Sequence, residues 1–171
     1  MTDRLWAPWR VKYVTTIVKK DDSDLFVRIG RSRQDKKNYV FKRSRHSYSV
    51  LNIYPYNNGH TLIVPGRKVK DLAELKREER DDLFDLLNET KGLLDKVLHP
   101  EGYNIGINLS RVAGAGIPGH LHIHLVPRWK GDVNFMPVVG GTKVISQSLD
   151  ALYERLVKAQ KTKTTKKRTR K

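Results

Sequence analysis

Between Gly119 and Trp129 the chain reads Gly-His-Leu-His-Ile-His-Leu-Val-Pro-Arg-Trp, so that His120, His122 and His124 alternate with Leu121, Ile123 and Leu125. A strict period of two is the pattern of a half-buried β-strand and does not suit an amphipathic helix. On a strand the three imidazoles share one face, roughly 7 Å apart. The aliphatic side chains share the other face, where a core must cover them. Half of the chain's six histidines stand in this stretch. Imidazole can serve as nucleophile, proton carrier or metal ligand near neutral pH. A row of them therefore points to chemistry on an anionic group or a metal more than to packing.

The rest of the chain supplies the sheet and its cover. Residues 38–53 predict two strands joined by a short polar turn, and residues 60–65 a short apolar strand closed by Pro-Gly. Residues 103–109 alternate again and lead through a glycine-rich stretch, 113–119, into the histidine strand, with which they should form a hairpin. Asp71 with Glu74 resembles a capping box. Leu72, Leu75, Leu83, Leu86, Leu87, Leu93, Leu94 and Val97 then recur at helical spacing, which predicts one long helix with a separate turn before it. Leu149, Leu152, Leu156 and Val157 form the stripe of a terminal helix. Strands, a long helix, two more strands and a last helix argue for an α+β domain: an antiparallel sheet of about five strands, one face covered by the long helix.

The length of 171 residues allows one domain and a tail. The domain is expected over 1–157, beginning with a docking segment that carries Trp6 and Trp9 around Pro8. The net charge of +16 suggests nucleic acid until it is located: residues 158–171 hold eight Lys/Arg and no acid, half of the total. Such a run reads as a disordered, self-repelling tail with at most non-specific nucleic-acid affinity. A second basic cluster, 28–45, has eight Lys/Arg against one Asp and is read as a turn with adjoining strand edges. Neither cluster has the interleaved aromatics of a stacking platform. With no cysteine, disulfides and thiolate metal sites are excluded. No stretch approaches the roughly 20 apolar residues that span a bilayer, and no apolar signal core follows Met1, so a cytoplasmic protein without membrane contact is expected.

His120-Leu-His122-Ile-His124-Leu-Val126 resembles in full the His-φ-His-φ-His-φ-φ motif of the histidine triad family. Asn57-Asn-Gly-His60-Thr-Leu-Ile-Val-Pro65 is similar to that family's upstream strand, and the likeness spans roughly residues 24–130. Tyr-Pro-Tyr-Asn-Asn-Gly-His and Pro-Arg-Trp-Lys-Gly-Asp resemble the bacterial branch that includes diadenosine tetraphosphate phosphorylases. The resemblance implies a HIT-like fold, a homodimer, and His122 as nucleophile on the α-phosphorus of a nucleotide or dinucleoside polyphosphate. His124 would donate to a phosphate oxygen, and His120 and His60 would orient the row. It also places Asn52 on the ribose, Asn108 near the phosphates, and Leu25, Phe26 and Ile53 around the base. For these apolar residues ordinary core packing is an equal alternative. Gly114, Gly116 and Ile117 fall in the loop before the triad, where glycines let backbone N–H groups approach a phosphate. Relatives often have glutamine or serine there, which puts leaving-group assistance from this loop in doubt.

Relatives of this branch often carry Cys-x-x-Cys that completes a structural zinc site with histidines, where this chain has Asp24-Leu-Phe-Val27. Zinc is therefore not expected, and no cofactor is required. The function implied is phosphoanhydride cleavage by a phosphorylase or hydrolase. Phosphoramidate hydrolysis, a nucleic-acid-binding protein driven by its tail, and a metal enzyme are the competing readings.

Overall fold

The computed structural model describes residues 24–132, 145 and 147–168. The expected docking segment with Trp6 and Trp9 lies outside them. Five antiparallel strands form one sheet: β1 (Val40–Arg43), β2 (Ser47–Leu51), β3 (Thr61–Pro65), β4 (Gly102–Ile107) and β5 (Ile123–Arg128), in the order β1-β2-β3-β5-β4. The expected hairpin partners β4 and β5 pair from Gly102↔Arg128 to Ile107↔Ile123. The sheet has two different faces. Leu51, Ile63, Leu121, Ile123 and Leu125 belong to one buried cluster, and Tyr48, Val50, Leu62 and Val64 to another.

The first face is covered by α3 (Arg77–Leu98), whose Leu83, Leu86, Leu87, Thr90, Leu93, Leu94 and Val97 are all buried. These positions follow the helical period, and burying each such leucine contributes about 1.5–3 kcal/mol. The separate turn expected ahead of the helix is present. The Asp71 carboxylate accepts the Ala73 N–H at 2.9 Å and caps only a short 3₁₀ turn, Leu72–Glu74. The cap that starts α3 is Glu79, whose carboxylate accepts the Lys76 N–H at 2.9 Å and an Arg67 Nη2 proton at 2.7 Å. Those bonds, with Arg67 foremost, hold the Glu79 carboxyl down at about 2. The helix stops at His99, left-handed at φ 50°, just before Pro100.

The last helix, α4 (Leu149–Arg168), adds Leu152, Tyr153 and Leu156 to the same core. It runs on through most of the segment expected to be a disordered tail, a sequence rich in lysine that favours helix once a packed turn precedes it. Gln160 donates to the Phe41 carbonyl at 2.7 Å, so the packed part extends past Val157.

The basic cluster 28–45 forms more than a turn with strand edges. It contains two short helices, α1 (Leu25–Arg31) and α2 (Asp35–Asn38), ahead of β1. Arg43 explains part of its charge: the guanidinium binds Asp35 at 2.6 Å and the carbonyls of Gly30 and Ser32 at 2.8 and 3.0 Å. Helix α1 lies on the second sheet face, anchored by the buried Tyr48 hydroxyl, which donates to the Phe26 carbonyl at 2.6 Å.

Candidate active site

The histidines stand on that second face. Only His124 lies within the β5 ladder, opposite Leu62. The strand begins at Ile123, later than the alternation implied, so His120, at a bend, and Leu121 and His122 lie ahead of the ladder. Val64 and Pro65 of β3 pair only with β2, and the backbone ahead of Ile123 bonds elsewhere, as where Leu121 N–H donates to the Val69 carbonyl at 2.7 Å. The one-face expectation nevertheless holds. His120 and His122 both pack on the Phe26 ring, at centroid distances of 5.6 and 5.1 Å, and the His122 and His124 rings are 4.9 Å apart.

Backbone partners fix the protons. A carbonyl only accepts, so His122 Nδ1, 2.8 Å from the His120 carbonyl, carries a hydrogen and leaves the lone pair on Nε2. Likewise His120 Nε2 donates to the Pro65 carbonyl at 2.8 Å. His60 is held the opposite way: its Nδ1 receives the Tyr56 N–H at 3.0 Å and the Asn52 amide at 3.3 Å, so its proton is on Nε2. That proton points at His124 Nδ1, 2.9 Å away, and the proton of His124 is therefore on Nε2. Burial pushes the pKa of both His120 and His122 below the ordinary 6.5, which keeps them neutral. A neutral imidazole with an open Nε2 beside another that carries Nε2–H can act as a nucleophile paired with a hydrogen-bond donor.

The remaining expected residues divide. Asn52 is at the site, but its amide is spent on His60 and on the Tyr54 N–H, which its Oδ1 accepts at 2.9 Å. Phe26 is 4 % exposed and forms the floor beneath two histidines, so packing is its observed role. Ile117 packs against the same cluster, and Leu25 is half-buried. Ile53 is 56 % exposed, away from both cores. Asn108 donates to the Gly114 carbonyl at 3.4 Å, closing the loop that also carries Gly116 and enters the triad. Gly114 has φ 91°, a conformation open to glycine. Arg128, at the end of the histidine strand, is paired with Asp132, which takes its Nε at 2.6 Å and its Nη2 at 2.8 Å.

One residue was missed. The Tyr56 ring stacks on His124 at 5.7 Å and lies 4.5 Å from the His60 ring, so it walls the relay. Its signal was its place in the stretch Tyr-Pro-Tyr-Asn-Asn-Gly-His, four residues before the upstream histidine. At the zinc position of related proteins the residues do not fit a metal. Lys68 Nζ sits 2.6 Å from Asp24, Val27 has no donor atom, and among the described residues no three His, Asp or Glu are arranged to hold an ion.

The HIT domain model matches residues 33–131. The AP-4-A phosphorylase of Mycobacterium tuberculosis is 39% identical over 153 residues, covering 85% of this chain and 78% of that protein. The asymmetrical bis(5'-nucleosyl)-tetraphosphatase of Schizosaccharomyces pombe is 37% identical over 93 residues, 54% of this chain and 50% of that protein. Among solved structures, a Hit-like protein from Bartonella henselae superposes with a TM-score of 0.63 at 16% identity, over 79% of this chain and 95% of that one, a likeness of fold. With a family model covering more than half of its length and a full histidine row on the expected sheet face, the chain belongs to the HIT domain family of histidine triad proteins.

Proposed function

We propose that the chain cleaves dinucleoside polyphosphates by nucleotidyl transfer to His122, with inorganic phosphate as the second acceptor. One observation carries the reading: His122 Nδ1–H is tied to the His120 carbonyl, which leaves Nε2 as a neutral nucleophile. The choice of phosphate over water rests on the likeness to the mycobacterial AP-4-A phosphorylase, which extends over most of both chains. Nε2 attacks the α-phosphorus, a P–N bond forms and the bridging P–O bond breaks. The electron pair leaves with the nucleoside triphosphate as its anion, whose developing charge the His124 Nε2–H stabilises by donating a hydrogen bond. The His60 Nε2–H, donating to His124 Nδ1, keeps that His124 proton on Nε2, and the His120 carbonyl steadies the positive charge on the nucleotidyl-imidazole. A phosphate oxygen then attacks phosphorus, the P–N bond breaks, and a nucleoside diphosphate departs.

Within this reading Asn108, Gly114, Gly116 and Ile117 line the phosphates, and Leu25, Ile53 and Asn52 the nucleoside. No metal takes part, so a chelator leaves the rate unchanged. The protein acts in the cytoplasm as a homodimer, for which the edge strand β4, with Ile105 51 % exposed, offers a surface. The basic end, 158–171, adds non-specific affinity for nucleic acid that salt removes.

Mass spectrometry of the intact chain with diadenosine tetraphosphate, with and without phosphate, tests the proposal. The expected result is an AMP adduct on the wild type, none on His122→Ala, and ADP with ATP only when phosphate is present. AMP with ATP in phosphate-free buffer would make water the acceptor, and equal turnover by His122→Ala would overturn the mechanism.

A further inference from the structure

The Asp132 carboxylate is 8% exposed and receives four hydrogen bonds. Arg128 gives two, Asn57 Nδ2 one at 2.7 Å and the Trp129 N–H one at 3.1 Å. Arg128 above all holds the carboxyl down at about 2, so the ion pair stays intact throughout the neutral range. The second link is Asn57, buried at 7% exposure, whose amide also donates to the Pro127 carbonyl at 3.0 Å. Its own carbonyl accepts the His60 N–H at 3.1 Å. Its neighbour Tyr56 supplies the N–H that fixes the His60 tautomer and the ring that stacks on His124.

These contacts form one continuous path. Arg128 lies four residues beyond His124 on β5, so the Arg128–Asp132 pair is fastened to the histidine strand, and Asn57 fastens the 56–60 turn to that pair. The turn has no regular ladder of its own, and its position decides whether Tyr56 N–H reaches His60 Nδ1. Resting on the proposed chemistry, we propose that Asp132 is a positioning residue. Through Asn57 it holds the 56–60 turn so that His60 donates to His124 and His124 keeps its proton on the face that serves the leaving group. It touches neither histidine. Its contribution is the placing of a tautomer, and a loosened catalytic group can cost up to about a hundredfold in rate.

The test compares the full-length wild type with Asp132→Ala and Asn57→Ala, the second of which leaves the Arg128–Asp132 pair in place. Turnover of diadenosine tetraphosphate is split into kcat and KM, and the imidazole nitrogens are assigned by long-range proton–nitrogen NMR. The expected result in both variants is kcat lowered tenfold or more with KM little changed, together with mixed protonation of His60 Nδ1. The double variant should be no slower than the slower single one, since both changes cut the same path. Wild-type kcat with unchanged imidazole signals in either folded variant would overturn the proposal. The NMR signature is read without substrate. An inactive wild type would thus count against the proposed reaction alone, while the tautomer would still decide the role of Asp132.

Discussion

His60 and His124 are 64 residues apart in sequence and share one hydrogen bond, Nε2 to Nδ1 at 2.9 Å. The bond exists because β3 and β5 are neighbours in the sheet, although a long helix and β4 separate them along the chain. Its direction is set from outside the pair, by the Tyr56 N–H on the far nitrogen of His60.

That dependence makes the side chain at position 60 testable by chemistry more than by size. His60→Ala leaves His124 Nδ1 without the His60 donor, and kcat should fall by about a hundredfold, the scale of one oriented hydrogen bond to developing charge. His60→Gln can accept the Tyr56 N–H with its oxygen and donate with its amide, so it should recover a large part of the loss. Steady-state kinetics of the two variants check this, and equal rates for both would show that the bond direction is immaterial.

The alternation of residues 120–125 made the histidine row and its opposite aliphatic face legible, because a period of two survives even where the ladder does not form. Helix α1 was not legible. Its seven residues carry only Leu25, Phe26 and Ile29 as an apolar stripe among arginines and a glycine, too short to hold a helix by propensity. Packing of Phe26 on His120 and His122 is what stabilises it, and that contact is visible only in three dimensions. The same holds for Asp132 and Asn57, which are 75 residues apart. The separate turn before α3 was legible too, because Asp71 is a good cap residue and here serves a single 3₁₀ turn.

Titration should destabilise the protein on the acid side in two steps. His120 and His122 have pKa values lowered by burial, so below the ordinary 6.5 the unfolded chain binds protons that the native site resists. Their contribution is fully present above 6.5 and is lost as pH falls toward the folded values. Glu79 and Asp132, each held at about 2, keep their contribution above the usual carboxylate range and lose it only as pH falls toward 2. Thermal melts should therefore show Tm lower at about pH 5.5 than at about pH 7.5. His120→Gln, which can still donate to Pro65, should flatten that slope, and an unchanged slope would refute the assignment.

Core packing and catalysis should separate cleanly at Leu83. Its side chain is fully buried between α3 and the sheet, on the face away from the histidines. Leu83→Ala should cost about 2–5 kcal/mol in denaturant unfolding. Activity per folded molecule at low temperature should stay close to wild type, because no contact of Leu83 reaches the relay. A fall in kcat without a fall in stability would contradict this division.

Gly59 tests the turn that carries the relay. Its φ is +77°, a conformation that costs an L-residue roughly 1–2 kcal/mol. A Cβ there would also lie 2.4 Å from Leu98 Cδ1 and 3.1 Å from Pro127 Cγ. The leucine end can swing aside, but Pro127 is part of β5, so the turn itself has to move. Gly59→Ala should accordingly show two effects together: a lower Tm from the strained backbone, and a lower kcat because His60 follows Gly59 directly and moves with it. Leu98→Ala in the same background relieves the closer clash but leaves the left-handed backbone, so it should restore part of the activity and less of the stability. Recovery of both in equal measure would mean that the contact with Leu98, rather than the backbone of the turn, sets the position of His60.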